Sequence, residues 1–152
     1  MPADHGPGIR VPPPVQVGLL LLLGWLLQRQ VPVPLGRPLP TVGTGLMALG
    51  LALSVWTVVF MLRAGTDPQP HRPDQALVER GPFRLSRNPI YLGFLLVAAG
   101  FACRWGDLWP WLAAVGAFLV LDRLAVAREE RYLRQRFGAA YEAYLLRVRR
   151  WI

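Results

Sequence analysis

The sequence predicts an all-α integral membrane protein with about four transmembrane helices, a cytoplasmic loop and a C-terminal amphipathic helical tail. Three observations carry this. Of 152 residues 53% are hydrophobic, more than an ordinary soluble core of this size needs. The apolar residues come in long blocks. The arginines collect between those blocks and after them.

Val17 to Leu27 is the first apolar block, with Pro12, Pro13 and Pro14 before it and Pro32 and Pro34 after it. Prolines suit the first turn of a helix and the region beyond its end, so this reads as a span of minimal length. It resembles the core of a signal peptide, but Gln28-Arg29-Gln30 stands where small residues would be needed for cleavage, so a retained span is expected. Thr41 to Leu62 is the strongest block, 22 residues closed by Arg63. Gly43, Gly50, Ser54 and Thr57 fall near one face of that helix and would admit a close neighbour.

Residues 63–88 are rich in Pro and Arg, too polar to cross a membrane and too poor in apolar residues to fold alone. Pro89 to Cys103 and Leu108 to Ala127 then read as a helical hairpin around Arg104-Trp105-Gly106-Asp107, with Trp105, Trp109 and Trp111 suited to the headgroup level. From Arg128 onward an Arg-rich amphipathic tail is expected. Phe137-Gly138 breaks its helix and Ala139-Ala140-Tyr141 restarts it. Residues 1–62 are thus the N-terminal spans and 63–152 the part carrying chemistry, within one membrane domain.

All 17 basic residues are Arg, and the net charge is +8. With four spans, Arg10, the five arginines from Arg63 to Arg87 and the eight from Arg123 onward share one side. That is 14, against Arg29, Arg37 and Arg104 on the other. The positive-inside rule then puts both termini and the large loop in the cytoplasm, with a bacterial inner membrane as the expected location. Nucleic acid is not an expected partner, because these arginines flank apolar blocks and form no basic face on a soluble fold. Cys103 is the sole cysteine, and His5 and His71 make no ligand spacing with it, so no metal site is expected.

Two constellations could carry chemistry. Leu77-Val78-Glu79-Arg80-Gly81-Pro82-Phe83-Arg84 leads through Arg87-Asn88-Pro89 to Tyr91 and Gly93. Asn88 suits an N-cap and Pro89 a first helical residue. The segment is then either a well-made helix start or an anion site between a helix N-terminus and Arg84 and Arg87. The second constellation is Arg128-Glu129-Glu130. Steps of three and four residues through Asp122, Val126, Glu129, Leu133 and Phe137 trace one face, so Glu129 should project inward. Glu130 should lie about 100° around the helix and pair with Arg134. An inward carboxylate needs a cationic ligand or an Arg, with Arg84 and Arg87 the structural candidates.

Taken together, Arg63-Ala64-Gly65-Thr66, Gly81-Pro82-Phe83-Arg84, Arg87-Asn88-Pro89 with Tyr91 and Gly93, Glu129-Glu130, Phe137-Gly138 and Tyr141 resemble the isoprenylcysteine carboxyl methyltransferase and phospholipid methyltransferase superfamily of integral membrane enzymes. The resemblance runs from about Arg63 to Ile152. It implies an S-adenosylmethionine-dependent methyltransferase acting on a lipid-like acceptor, whether carboxylate, amine or thiol, with membrane lipids as surroundings. It implies cofactor contacts from Leu77, Val78, Gly81, Arg87, Asn88, Pro89, Tyr91, Gly93, Glu129 and Glu130, with Arg87 and Asn88 as candidate catalytic residues and the 63–88 loop covering the cofactor. Many relatives have His where this chain has Asn88, and an amide cannot act as a general base near neutral pH. The rival readings are a nicotinamide-dependent membrane reductase, similar in its C-terminal part, and a non-catalytic membrane scaffold.

Overall fold

In the computed structural model, which describes residues 11–67 and 77–152, the secondary structure is helical apart from an isolated bridge between Pro34 and Asp107. Helices α1 (Pro13–Gln30) and α2 (Pro40–Arg63) precede a 3-10 turn at Gly81–Arg84; α3 (Pro89–Trp105) and α4 (Leu108–Val120) follow. A π-helical turn, Leu121–Val126, carries α4 without a break into α5 (Ala127–Phe137), and α6 (Ala139–Arg147) comes after Gly138 at φ +50°. Proline opens α1, α2 and α3, where its missing N–H is no loss. His5, Arg10, His71 and Arg72 lie outside the described residues.

Neighbouring helices pack as α2 on α3, α3 on α4 and α4 on α1. The α2–α3 contact is built from small residues. Gly43, Gly50, Ser54 and Thr57 are the buried residues of α2, as their spacing predicts. Gly43 faces Gly100 and Gly50 faces Gly93, so a methyl group added at Gly43 would fall 2.5 Å from the Gly100 carbonyl oxygen. Backbones this close gain dispersion along their whole contact, which matters where lipid removes the hydrophobic drive for helix association. The remaining core is Val17, Tyr91, Ala98, Ala117, Leu121, Ala125 and Val126.

Two helices are long and apolar enough to cross a membrane, Pro40–Arg63 and the continuous Leu108–Phe137. Four such helices are expected; α3 is a shorter apolar helix of 17 residues, and α1 carries Gln16, Gln28, Arg29 and Gln30 within its 18. The apolar surface points outward. Only 17% of the most apolar stretch of α2 is buried, and Leu49, Leu51, Val55, Trp56 and Leu62 are exposed, as are Leu19, Leu22 and Leu23 of α1. A soluble protein would hide such helices; these suit a lipid surround.

One end of the bundle is closed by Asp107. Its carboxylate accepts from the Trp109 N–H that it caps (3.1 Å) and from Val33 N–H (2.7 Å), while the Trp109 indole donates to the Val31 carbonyl (2.7 Å). Gly106, at φ +63°, supplies the left-handed turn that ends α3. The candidate site lies at the other end.

Candidate functional site

There the C-terminal end of α2, the segment 77–88, the start of α3, the π turn with α5, and the residues after α6 converge. The segment 77–88 packs against the helices. Gly81 (φ +60°) abuts the Phe60 ring of α2, and the Phe83 carbonyl accepts the Tyr144 hydroxyl at 2.7 Å. Arg147 pairs with Glu79 at 2.6 Å. Leu77 and Val78 are part-buried at its start.

Asn88 takes the N-cap position of α3 but makes no side-chain cap there. Its amide instead donates to the Arg150 carbonyl (2.9 Å), and its backbone N–H donates to Ser86 Oγ (3.0 Å). Ser86 in turn donates to the same Arg150 carbonyl, and Arg87 N–H donates to the Arg149 carbonyl. Local propensity makes Asn88 a cap; a tertiary acceptor overrides it.

Both glutamates of the 129–130 pair face the packed side, toward different partners. Tyr91 donates its hydroxyl to Glu129 Oε1. Glu130 is 5% exposed and holds two arginines: Arg87 at 3.1 Å, and Arg150 by a fork of Nε at 3.0 Å and Nη2 at 2.6 Å. Arg150 also reaches Asp122 at 3.1 Å, and the Trp151 indole donates to the same carboxylate oxygen.

This corrects the phase expected for Glu130. It does not pair with Arg134, which bonds Glu142 on the surface (3.0 Å). The expected structural partner Arg87 is present, but on Glu130 rather than Glu129. The cause is the π turn. One residue inserted into an α-helix rotates everything after it by about 100°, so a face traced from Asp122 reaches Glu130 instead of Glu129.

Burial raises the Tyr141 hydroxyl to a pKa of about 12, with the Glu130 charge adding to the rise and Arg87 opposing it. Tyr144 is pushed up as well, chiefly by burial. Arg150 is held above its ordinary value, first by its hydrogen bond to Glu130. Arg87 Nε is buried without a hydrogen-bond partner among the described residues.

Residues 39–140 match the phospholipid methyltransferase family. The chain belongs to that family. An uncharacterized protein of Haemophilus influenzae is 36% identical over 63 residues, 41% of this chain and all of that protein. A probable protein-S-isoprenylcysteine O-methyltransferase of Oryza sativa subsp. indica is 42% identical over 82 residues, 51% of this chain; the match spans only 41% of the rice protein. The subsp. japonica counterpart matches equally. No solved structure matches closely.

In this phospholipid methyltransferase family member the fold gathers Arg87, Asn88, Pro89, Tyr91, Glu129 and Glu130 at one end of the bundle. It sets Gly93 apart. That residue lies against Gly50 and Ser54 in the α2–α3 contact, so helix packing accounts for it. Gly81 likewise meets Phe60, at a φ suited to glycine. Sequence reasoning singled out neither Ser86 nor Arg150 and Trp151. The Arg149-Arg150-Trp151 run was visible only as part of a basic tail, and nothing in its spacing pointed back to residues 62 positions earlier.

Among the described residues no group of three or more His, Cys, Asp or Glu side chains could hold a metal ion. The residues do fit S-adenosylmethionine, which presents cationic groups, a carboxylate and an adenosine. Glu129, in α5, supplies a carboxylate and Tyr91, at the start of α3, a hydroxyl, and Arg87 Nε, four residues before Tyr91, is a buried donor without a hydrogen-bond partner among the described residues.

Proposed function

We propose that this protein transfers a methyl group from S-adenosylmethionine to a lipid-like acceptor at the cytoplasmic face of a membrane that its helices cross four times. The observation that carries this reading is the convergence, at one end of an apolar bundle, of the Arg87–Tyr91 segment with Glu129 and Glu130. Family membership and the outward apolar faces of α1 and α2 support it.

The bound donor would supply a methyl carbon already activated by its positive sulfur, so the protein's own work is binding and alignment. Glu129, oriented by the Tyr91 hydroxyl, binds a cationic group. Leu77 and Val78 add apolar surface. Arg87 and Asn88 act by position, since Glu130 and the Arg150 carbonyl engage them. A carboxylate or thiolate acceptor needs no base, which suits a site that carries the amide of Asn88. The acceptor enters from lipid, and the polar donor from water.

The test uses the purified full chain in detergent. Calorimetric titration should show binding of S-adenosylmethionine and none of NADPH, and incubation with a membrane-lipid extract and methyl-labelled donor should label a lipid-soluble product. Binding of NADPH instead would move the assignment to a reductase. Binding of neither, with no labelled product, would sink the proposal.

A further inference from the structure

The residues after α6 do more than end a helical tail. Val148 turns the chain into extended backbone (φ −128°, ψ 131°), and the next three residues run between the 86–88 turn and the π turn. On one side their carbonyls receive three donors: Arg87 N–H at Arg149 (3.1 Å), then Ser86 Oγ (3.2 Å) and Asn88 Nδ2 (2.9 Å) at Arg150. On the other side the Arg150 guanidinium forks onto Glu130 and reaches Asp122. Trp151 donates to Asp122 and lies 5.3 Å from the Phe118 ring.

We infer that Arg149–Trp151 form a clasp that sets the spacing of the methyl-transfer site, with Arg150 as its positioning residue. This rests on the proposed function for what the site binds, though not for the clasp's existence. The two strips of site residues, 87–91 and 129–130, lie about forty positions apart in sequence and belong to different helices. Tyr91 to Glu129 and Arg87 to Glu130 link them directly. Arg150 is in contact with both strips. Its carbonyl faces one and its guanidinium the other, and a planar fork with five donors can hold Glu130 and Asp122 together as a lysine cannot.

The charges explain why an arginine is stable there. Asp122 and Glu130 stand eight residues apart along the helix, and Arg150 bridges them; Arg87 also holds Glu130 and Arg123 also holds Asp122 (3.5 Å), so without Arg150 each carboxylate is left with one arginine and the link between them is lost. Without it, Glu130 keeps Arg87 alone and is free to draw that side chain from its present position. Asn88, losing its ordered acceptor, can fall back on its ordinary role as a cap for α3. Both changes alter the site, not the bundle.

The experiment compares wild type, Arg150→Met, Arg150→Lys and, as a control for tail charge, Arg134→Met, all as full chains in detergent. Two readouts are taken: hydrogen exchange of the segment 84–92 without ligand, and S-adenosylmethionine affinity with KM and kcat wherever labelled product forms. Arg150→Met should speed exchange of 84–92 with helices α1 and α2 unchanged, and weaken donor affinity at least tenfold, in KM more than in kcat. Arg150→Lys should fall between, and Arg134→Met should match wild type. Unchanged exchange and affinity in Arg150→Met would overturn the clasp, as would a uniform rise in exchange over the whole bundle. If wild type bound no S-adenosylmethionine yet Arg150→Met still loosened 84–92 alone, the clasp would stand and the proposed donor would fall.

Discussion

The Tyr91 hydroxyl donates to Glu129 across 38 residues of sequence, joining the first turn of α3 to the first turn of α5. Tyr91 is 8% exposed and packs in the core beside Phe94, so its ring is fixed and its hydroxyl is aimed. Removing only that oxygen should therefore misalign the carboxylate and leave the bundle intact. Tyr91→Phe is expected to cost about 1 kcal/mol of stability and several-fold in donor affinity. Thermal melting and calorimetric titration measure the two; affinity equal to wild type would show that Glu129 needs no orientation from α3.

The adjacent glutamates should separate cleanly by readout. Glu129→Gln keeps the shape and removes the charge, so donor binding should weaken by about 1.5 to 3 kcal/mol with little change in melting temperature. Glu130→Gln breaks the pairs with Arg87 and Arg150 and leaves guanidinium charge buried. Its expected cost is about 3 kcal/mol of stability, at the low end for a buried pair because 37% of the Arg150 side chain meets solvent. A melting loss in Glu129→Gln larger than in Glu130→Gln would reverse these roles.

That contrast also marks where sequence reasoning reached and where it stopped. The α2 face of Gly43, Gly50, Ser54 and Thr57 was legible because small residues at helical spacing have one structural use in an apolar helix. The break at Gly138 was legible for the same kind of local reason. The phase of Glu130 was not, because the π turn at Leu121–Val126 shifts the helical phase without a proline, glycine or other local signal in its sequence. Nor was the place of Arg150, whose partners are 20 and 28 residues back along the chain and whose carbonyl serves residues more than 60 away. Periodicity reports what one helix does, and the site is made where several meet.

The glycine contacts between α2 and α3 predict a position-specific response to alanine. At Gly93 a methyl group would overlap the Ser54 hydroxyl and come within 2.6 Å of the Gly50 carbonyl; at Gly45 it would meet nothing within 4 Å. Gly93→Ala should destabilise by at least about 1 to 3 kcal/mol as the helices are forced apart. Gly45→Ala should be neutral or gain up to about 1 kcal/mol from helix propensity. Denaturant titration in mixed micelles reads both, and equal effects at the two positions would mean that α2 and α3 do not pack through these glycines.

Tyr141 predicts the alkaline limit of stability. Its pKa is about 12 when folded and near 10 when unfolded, so between these values the folded protein keeps a proton that the unfolded chain has lost. The stabilisation is complete below pH 10 and is lost as pH rises toward 12. Tyr141→Phe should flatten that slope, although Tyr144, also raised by burial, will keep part of it. Following phenolate absorbance alongside unfolding checks the assignment; ionisation of Tyr141 near pH 10 without unfolding would contradict its burial.

Orientation can be read with one reagent, because the single cysteine is easily removed. In a Cys103→Ala background, a cysteine replacing Arg37 lies in the exposed connection between α1 and α2, and one replacing Gln135 lies on the exposed side of α5. By the positive-inside rule, the excess of arginine at the site end predicts Gln135 in the cytoplasm and Arg37 outside. A membrane-impermeant thiol reagent applied to intact cells should therefore label Arg37→Cys at once and Gln135→Cys only after lysis. The reverse pattern would turn the protein over and put the site away from cytoplasmic S-adenosylmethionine. Labelling of both in intact cells would show that the long helices do not separate those positions by a membrane.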